Sequence, residues 1–586
     1  MLPFGKRLHL VVSFLFGTLQ LASVVHAKSV PNWASTFDPP SGPSPGGFIG
    51  STSEANPRSG LAIPGNYSGW FRPQVHFSAP QHFLNDPNGM FRDDNGTWHL
   101  YYQYNPVSLL PGHQHWGHAT SQDLYHWVNQ PMALYPPAEF VPVFTGSCVV
   151  DKNNTSGFFP NQTNGVVAIY TTGDFRTGPP FLQQQYLSYS RDGGYTFTAY
   201  DRNPIIPSQS DQFRDPKILW YEDHWVLVVV FAAEFTVGIY TSDNLIEWTH
   251  ASNFTGEGIY NLQWECPNLV RLPHYDSQGQ FVDHMWLLMI GINPRAPLGG
   301  SGTVYFTGSF NGTHFEAMQK IPRIADMGKD NYAGQFFYGQ PDDEEPVYIG
   351  WASNWQYTGE VPTDRENWRS MLTLPRRTFI HKLQDVDWNM NQLPYDMSPI
   401  MGETLYCGEL PVNKSITIDF SHVESKAVYW EMKVIGHPGL GGAKNMTHYF
   451  NFTNPETGEY VRGGHLFGAY EDVYLDRGGV KAFDYVFMSD KVTTNSFPIN
   501  GTWSMSGVLD RSIMEVFINN GEDSGTMSYF STKPLSVMNI GTTNLVPSMN
   551  GTLRVSALNS AWDKMKGPDG LVWGNQTKVD IIPGKD

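Results

Sequence analysis

Cysteine is scarce in this chain: three in 586 residues, at positions 148, 266 and 407. So few exclude a disulfide-stapled scaffold, and their spacing matches no zinc pattern, so no metal site is expected. An odd number leaves at least one thiol free, with Cys266 the natural candidate and a Cys148–Cys407 bridge left open. Charge is sparse too. Charged residues make up 16% of the chain, and 55 acids against 37 bases give a formal net charge of −18. That balance argues against nucleic acid or an anionic membrane as a partner. Apolar runs long enough to span a bilayer are missing after the first 27 residues, and no long amphipathic helix stands out.

What is present suits strands and turns. The chain has 57 Gly, 42 Pro, 14% aromatic and 40% hydrophobic residues. Its length exceeds one ordinary core, so at least two domains are expected. Met1 to Ala27 reads as a signal peptide: Lys6 and Arg7 precede the apolar run Leu8 to Val25, and Val25-His26-Ala27 offers a small-residue cleavage site. A membrane anchor is the other reading of that run. Sequons at Asn66, Asn95, Asn154, Asn161, Asn253, Asn311, Asn445, Asn451, Asn500 and Asn550 fit a glycosylated product, secreted to the medium or the cell wall. Residues 28–70, rich in Pro, Gly and Ser, read as an arm.

Beyond the arm a pattern of Ser, then Asp or Asn, then an aromatic recurs at Ser121-x-Asp123…Trp127, Ser190-x-Asp192…Phe197, Ser242-Asp243…Trp248 and Ser309-x-Asn311…Phe315. The copies lie roughly 50 to 70 residues apart, the period of four-stranded propeller blades. With an unmarked fifth region around Trp351 to Ile380 they predict a five-bladed β-propeller over 71–390. A linker over 391–410 and a β-sandwich over 411–586 follow, making the fold all-β. Trp98 to Tyr102, Val166 to Tyr170 and Trp225 to Phe231 read as propeller strands. Val428 to Val434 and Ser504 to Leu509 read as sandwich strands.

Three acids sit in constrained settings: Phe83-Leu84-Asn85-Asp86-Pro87-Asn88-Gly89, Arg214-Asp215-Pro216 and Trp264-Glu265-Cys266-Pro267. Proline after Asp86 biases it toward extended backbone, and Asn-Gly tolerates positive φ, so the carboxylate is aimed. Each acid precedes one of the repeated turns, where a blade's innermost strand falls, and so all three converge on the central channel.

These segments, in this order, resemble glycoside hydrolase family 32, the invertases, inulinases and fructosyltransferases. Tyr102-Gln103-Tyr104-Asn105-Pro106, Trp116-Gly117-His118, Phe144-Thr145-Gly146-Ser147, Tyr332-Ala333-Gly334-Gln335 and Trp351 to Tyr357 extend the resemblance. So do Asp510-Arg511-Ser512 and Glu515-Val516-Phe517. The resemblance implies a retaining β-fructofuranosidase with Asp86 as nucleophile, Glu265 as acid/base and Asp215 as transition-state stabiliser. The carboxyls of Asp86 and Glu265 should then lie about 5 Å apart. It implies sugar contacts from Asn85, Gln103, Trp116, Phe144, Thr145 and Arg214. Contacts with the leaving or acceptor sugar are implied for Asp326, Asp330, Asn354 and Trp355. Flanking Trp264, Cys266 and Pro267 predict an apolar setting for Glu265. Phe83 and Leu84 depart from the family's Trp-Met, and Thr145 stands where Ser is common. Phe83, Phe144 and Trp355 are expected to form an aromatic rim for an acceptor. No cofactor is expected; the substrate partners are sucrose and fructo-oligosaccharides or fructans, and a homodimer is admitted. The alternatives are an exo-fructanase acting on inulin or levan, and a non-catalytic carbohydrate-binding propeller.

Overall fold

The computed structural model describes residues 60–176, 181–259, 263–383, 388–438, 445–468 and 470–577. The expected signal peptide and most of the expected arm lie outside the described residues. Every long element described is a β-strand; helical turns are 3₁₀ only, and no described helix is long and apolar enough to cross a membrane.

Residues 82–394 build five blades around a channel. Blade one is β1 (His82–Arg92), β2 (Trp98–Asn105), β3 (His115–Ser121) and β4 (Val128–Leu134). Blade two is β5 (Val143–Val150), β6 (Val166–Gly173), β7 (Gln183–Ser190) and β8 (Thr198–Ala199). Blade three is β9 (Phe213–Tyr221), β10 (His224–Phe231), β11 (Thr236–Ser242) and β12 (Thr249–Phe254). Blade four is β13 (Trp264–Tyr275), β14 (Phe281–Ile292), β15 (Gly302–Phe310) and β16 (Phe315–Ala317), with the short β17 (Arg323–Ile324) paired to β15. Blade five is β18 (Tyr332–Phe336) and β19 (Val347–Trp351), continued after the two-residue β20 (Trp368–Arg369) by β21 (Arg376–Lys382) and β22 (Trp388–Pro394). The innermost strands β1, β5, β9, β13 and β18 neighbour one another around the channel. β20 pairs in parallel with β1 and closes the ring between blades five and one.

The Ser-Asp pattern marks the turn from the third to the fourth strand of each of the first four blades. Ser121 Oγ donates to Asp123 Oδ1 at 3.1 Å, and Ser190 Oγ to Asp192 Oδ1 at 2.6 Å. In the third copy Asn244, not Asp243, takes the Ser242 hydroxyl, at 3.2 Å. Blades are covered on both faces, so their strands read as continuous apolar runs. Val226 to Val230 of β10 are all fully buried, each contributing about 1.5–3 kcal/mol by burial.

The sandwich has two six-stranded sheets. One carries β23 (Met401–Glu409), β25 (Ala427–Ile435), β30 (Thr502–Asp510), β31 (Ile513–Ile518), β32 (Asp523–Ser528) and β34 (Asn550–Leu558). The other carries β24 (Ser415–Asp419), β26 (Met446–Thr453), β27 (Tyr460–Phe467), β28 (Asp472–Asp476), β29 (Lys491–Asn495) and β33 (Val537–Thr543). Here burial alternates along the strand, as in β26, because one face meets the partner sheet and the other meets water. Trp430, Phe450, Phe452 and Trp503 fill the space between the sheets.

Two boundaries differ from the sequence reading. The expected linker 391–410 is mostly strand: β22 runs to Pro394, and Met401–Glu409 is a sandwich edge strand paired with β34. The sandwich itself ends at Leu558, and residues 559–577 return to blade one. There Trp562 stacks on Tyr67 with ring centroids 3.8 Å apart, and Gly65 pairs with Val572. All three cysteines are free thiols, so the Cys148–Cys407 pairing does not form.

A buried ionic latch joins the two domains. Arg376 of β21 meets Asp326 at 3.1 Å and Glu515 of β31 at 2.7 Å. Arg477 of the sandwich meets Asp330 at 2.7 Å. Asp510 accepts the backbone N–H groups of Gln74, Val75 and His76, while the His76 ring bridges Asp510 and Glu515.

Candidate active site

Each innermost strand breaks its ladder at the same level. Register shifts fall between Leu84 and Pro87, Val143 and Gly146, Arg214 and Lys217, Glu265 and Asn268, and Tyr332 and Gln335. The displaced residues are Asp86, Thr145, Asp215, Cys266 and Ala333, followed in turn by Pro87, Gly146, Pro216, Pro267 and Gly334. Proline has no ladder N–H to give and glycine tolerates close approach, so both settle at bulges. Asp215, Cys266 and Ala333 adopt positive φ of 65°, 47° and 51°, a conformation rare away from glycine that re-aims the side chain. Five bulges thus turn one residue per blade toward the channel mouth.

The three acids meet there. Asp86 is 8% exposed. Thr145 Oγ1 donates to its Oδ2 at 2.7 Å and Asn85 Nδ2 to its Oδ1 at 3.0 Å. The Cys266 thiol lies 3.5 Å from Asp86 Oδ2 and 3.6 Å from Asp215 Oδ2, touching both carboxylates. Asp215 Oδ2 also accepts the Cys266 backbone N–H at 2.9 Å. Burial pushes Asp86 up to about 6 against the opposing Thr145 bond, and the Glu265 charge adds to the rise. Asp215 is raised as well, by burial first, with Arg214 opposing and the other two acids adding.

Glu265 sits in a polar cage, not the apolar setting expected. Arg214 donates to its Oε1 through Nε at 3.2 Å and Nη2 at 2.9 Å, and Gln263 Nε2 donates there at 3.2 Å. Its Oε2 accepts from Asn293 Nδ2 at 3.2 Å and from the Tyr332 hydroxyl. Trp264 turns away into the blade core, its indole donating to Ile259 O. Arg214 is steered in turn by Gln183 and Gln212 at 3.3 and 2.9 Å. Asp86 and Asp215 lie in the dry centre, while Glu265 keeps a fixed carboxylate 15% exposed at the mouth. That suits an attack on one face of a bound group and proton transfer from the side.

Other residues assigned from sequence fall elsewhere. Gln103 and Trp116 are buried, with Gln103 Nε2 donating to Val143 O at 3.1 Å and the Trp116 indole to Phe144 O at 3.0 Å. Asp326 and Asp330 belong to the latch, with Thr526 N and Ser528 N completing their partners at 2.8 and 2.9 Å. Asn354 is fully buried and ties Gly299, Ser301 and Lys329 by their carbonyls. Phe83 is 1% exposed beneath Trp351 and Trp355, so it supports the rim without lining it. The rim that remains is Trp355 on one side and Phe144 against Phe175 on the other, with Phe181 stacked on Phe175. Tyr332, Gln263 and Asn293, which cage Glu265, were missed. The signal for the bulges was a Pro or Gly inside each innermost strand. Among the described residues no group of His, Cys, Asp and Glu is arranged to hold a metal.

Residues 76–392 match the family model described as glycosyl hydrolases family 32 N-terminal domain. Invertase 2 of Saccharomyces cerevisiae is 36% identical over 518 residues, covering 83% of this chain and 93% of that protein. An extracellular exo-inulinase of Meyerozyma guilliermondii is 35% identical over 481 residues, covering 78% and 90%. Among solved structures, the fructofuranosidase from Schwanniomyces occidentalis complexed with fructose superposes with a TM-score of 0.76 at 32% identity, over 84% of this chain and 99% of that one.

Proposed function

The chain belongs to glycoside hydrolase family 32, and from that premise we propose that it is a secreted, retaining β-fructofuranosidase. It removes the terminal β-D-fructofuranosyl unit of sucrose and hands part of it to acceptor sugars when sucrose is concentrated. One observation carries the reading: Asp86, Asp215 and Glu265 converge on one channel mouth with different partners, so three like groups take three roles.

Asp86, its Oδ2 fixed by Thr145, attacks C2 of the fructosyl unit. The C2–O bond breaks as Glu265 gives its proton to the leaving oxygen, and an ester to Asp86 forms. Glu265, then a carboxylate held by Arg214 and Tyr332, takes the proton of an incoming hydroxyl whose oxygen attacks C2 and frees Asp86. Asp215 stays close to the ring and stabilises its developing positive charge. Retention asks for about 5 Å between the carboxyls of Asp86 and Glu265. The open rim of Phe144, Phe175 and Trp355 supplies apolar faces on which an acceptor sugar stacks.

The likeness to invertases and to an extracellular exo-inulinase, with the signal-like start and the sequons, supports secretion and glycosylation. Asn66, Asn95, Asn161, Asn253, Asn311, Asn445, Asn500 and Asn550 are exposed; Asn154 and Asn451 are half-buried. A second reading, an exo-fructanase, is favoured by the likeness to the exo-inulinase. Initial rates on sucrose, inulin and levan decide: sucrose fastest supports the first reading, inulin or levan equal or faster the second. A carbohydrate-binding propeller without catalysis sits poorly with three intact acids, and no turnover of any of these substrates by folded protein would restore it.

A further inference from the structure

Blade two crowds the channel mouth with phenylalanine. β5 runs inward from the mouth, with Thr145 near its start, and β6 and β7 alternate direction beside it. The turn before β5 and the described ends of the turn between β6 and β7 therefore lie at the mouth. They carry Phe140, Phe175 and Phe181, beside Phe144 of β5 itself. The rings of Phe144 and Phe175 meet edge to face at 6.3 Å, and Phe175 stacks on Phe181 at 4.5 Å. A side chain at Gly173 would come within 2.9 Å of Phe175 and 3.0 Å of Phe144, so glycine there lets both rings lie together. Phe175 N donates to Phe140 O at 3.0 Å and ties the two turns.

Core packing does not account for this wall. Phe140 is 60% exposed and Phe175 38%, and Phe140 holds a positive φ of 62°, a costly conformation for a bulky side chain. Grouped apolar side chains left in water mark a binding surface. This one is tied to both reacting carboxyls. Phe144 precedes Thr145, whose hydroxyl holds Asp86 at 2.7 Å. Phe181 lies two residues before Gln183, which accepts from Arg214 at 3.3 Å, and Arg214 in turn holds Glu265 at 2.9 Å. A molecule whose hydroxyl reaches Glu265 from this side rests its remainder on the phenyl rings. Those four side chains offer no donor or acceptor, and the flanking charges of Asp174 and Arg176 are spent on each other at 2.9 and 2.7 Å. A sugar uses such a surface through one C–H face only, and its hydroxyls find no partner on it. An aryl group covers it whole and gains ring contacts.

We propose that Phe140, Phe144, Phe175 and Phe181 form an acceptor site for alcohols that carry an aromatic ring, and that the enzyme transfers fructosyl units to them. The acceptor oxygen bonds to C2 as the ester bond from C2 to Asp86 breaks, its electron pair returning to the carboxylate. The hydroxyl proton passes to Glu265. The product is an arylalkyl β-fructofuranoside, and no other reactant is consumed. The proposal rests on the reading of Asp86 as nucleophile and Glu265 as acid/base.

The test offers sucrose together with equal concentrations of benzyl alcohol and methanol, two primary alcohols of similar acidity that differ in the ring. Released glucose counts every turnover, and chromatography counts each fructoside. The parent should form benzyl fructoside in about 5-fold or greater excess over methyl fructoside, and Phe175→Ala and Phe140→Ala should each lower that ratio about 2- to 10-fold. Both products come from one ester in one mixture, so a variant's overall rate cancels from the ratio. A parent ratio at or below one, or a parental ratio in folded Phe175→Ala, overturns the acceptor site. Glucose released with neither fructoside overturns it equally. No glucose released by folded protein fails the reading of the acids instead, and the acceptor site falls with it.

Discussion

Replacing Asp86 by Asn should abolish turnover and make the protein more stable, but only above acidic pH. The carboxyl is raised from an ordinary 3.8 to about 6, chiefly by burial. A group with a raised folded-state pKa binds its proton more tightly in the native state, so for a carboxyl the ionised form burdens the fold. That burden is absent below about 4, grows between the two values and is complete above about 6. The shift of about 2 pH units corresponds to about 3 kcal/mol. The amide keeps an acceptor for Thr145 while facing the Asn85 amide, so about 3 kcal/mol is the ceiling. With an unfolding entropy of about 2.1 cal/mol/K per residue over some 500 residues, it amounts to about 3 °C in the melting temperature. Parent and variant should be melted at one scan rate at about pH 4 and pH 7.5, since many large multidomain proteins unfold irreversibly and their melting temperature then depends on scan rate. The expected differences are near zero and about +3 °C. A variant that melts below the parent at neutral pH, or differs from it equally at both, refutes the argument that the Asp86 carboxylate is held against its own solvation.

Glu265→Gln should reduce sucrose turnover about 10²- to 10⁴-fold with the fold intact, as removal of a general acid does; wild-type turnover would sink the assignment. Cys266→Ala should leave an active enzyme whose acidic limb moves upward, because the thiol bond helps hold Asp86 ionised, and reductant should leave the parent's activity unchanged. His76 is raised to about 9 by its bonds to Asp510 and Glu515, which outweigh the cost of burial. The His76 contribution to the latch is therefore complete below about 6.5 and lost as pH rises through about 9, so the melting temperature should fall between pH 8 and 10 in the parent and much less in His76→Asn. At molar sucrose, chromatography should show fructo-oligosaccharides that vanish on dilution; glucose and fructose in equal amounts at every concentration would remove the acceptor rim from the account.

The acids were legible because each carries its own rigid context within seven residues, and the turn after each third strand because Ser and Asp bond locally. What failed to show was whatever depends on distant partners. Asp326 and Asp330 look like ligands beside a pocket until Arg376 and Arg477 arrive from 50 and 147 residues away. Gln103 and Trp116 lie in strands buried at nearly every position, where sequence alone does not separate a polar side chain that meets a neighbour's carbonyl from one that meets a sugar. Met401–Glu409 was read as linker because an exposed edge strand has little burial to impose alternation, and Pro394 and Pro399 precede it. The bulges were hidden in plain view: Pro or Gly within a strand reads as its end, and only the five-fold recurrence gives it meaning.

The return of the chain's last described stretch to blade one governs when the molecule becomes whole. Gly65 and Val572 exchange backbone hydrogen bonds at 3.0 and 2.9 Å, Ala561 N reaches Gln74 O, and Asn575 N reaches Asn129 O. Trp562 sits in the same apolar cluster as Tyr67, Phe77, Leu84 and Trp127, next door to the strand that carries Asp86. During synthesis, blade one leaves the ribosome first and waits for more than four hundred residues before its outer covering is made. Until then it carries an open aromatic face, a surface that binds chaperones and aggregates. A ribosome stalled anywhere in the sandwich therefore leaves every acid in place and the ring closed by β20, but blade one uncovered on its outer side.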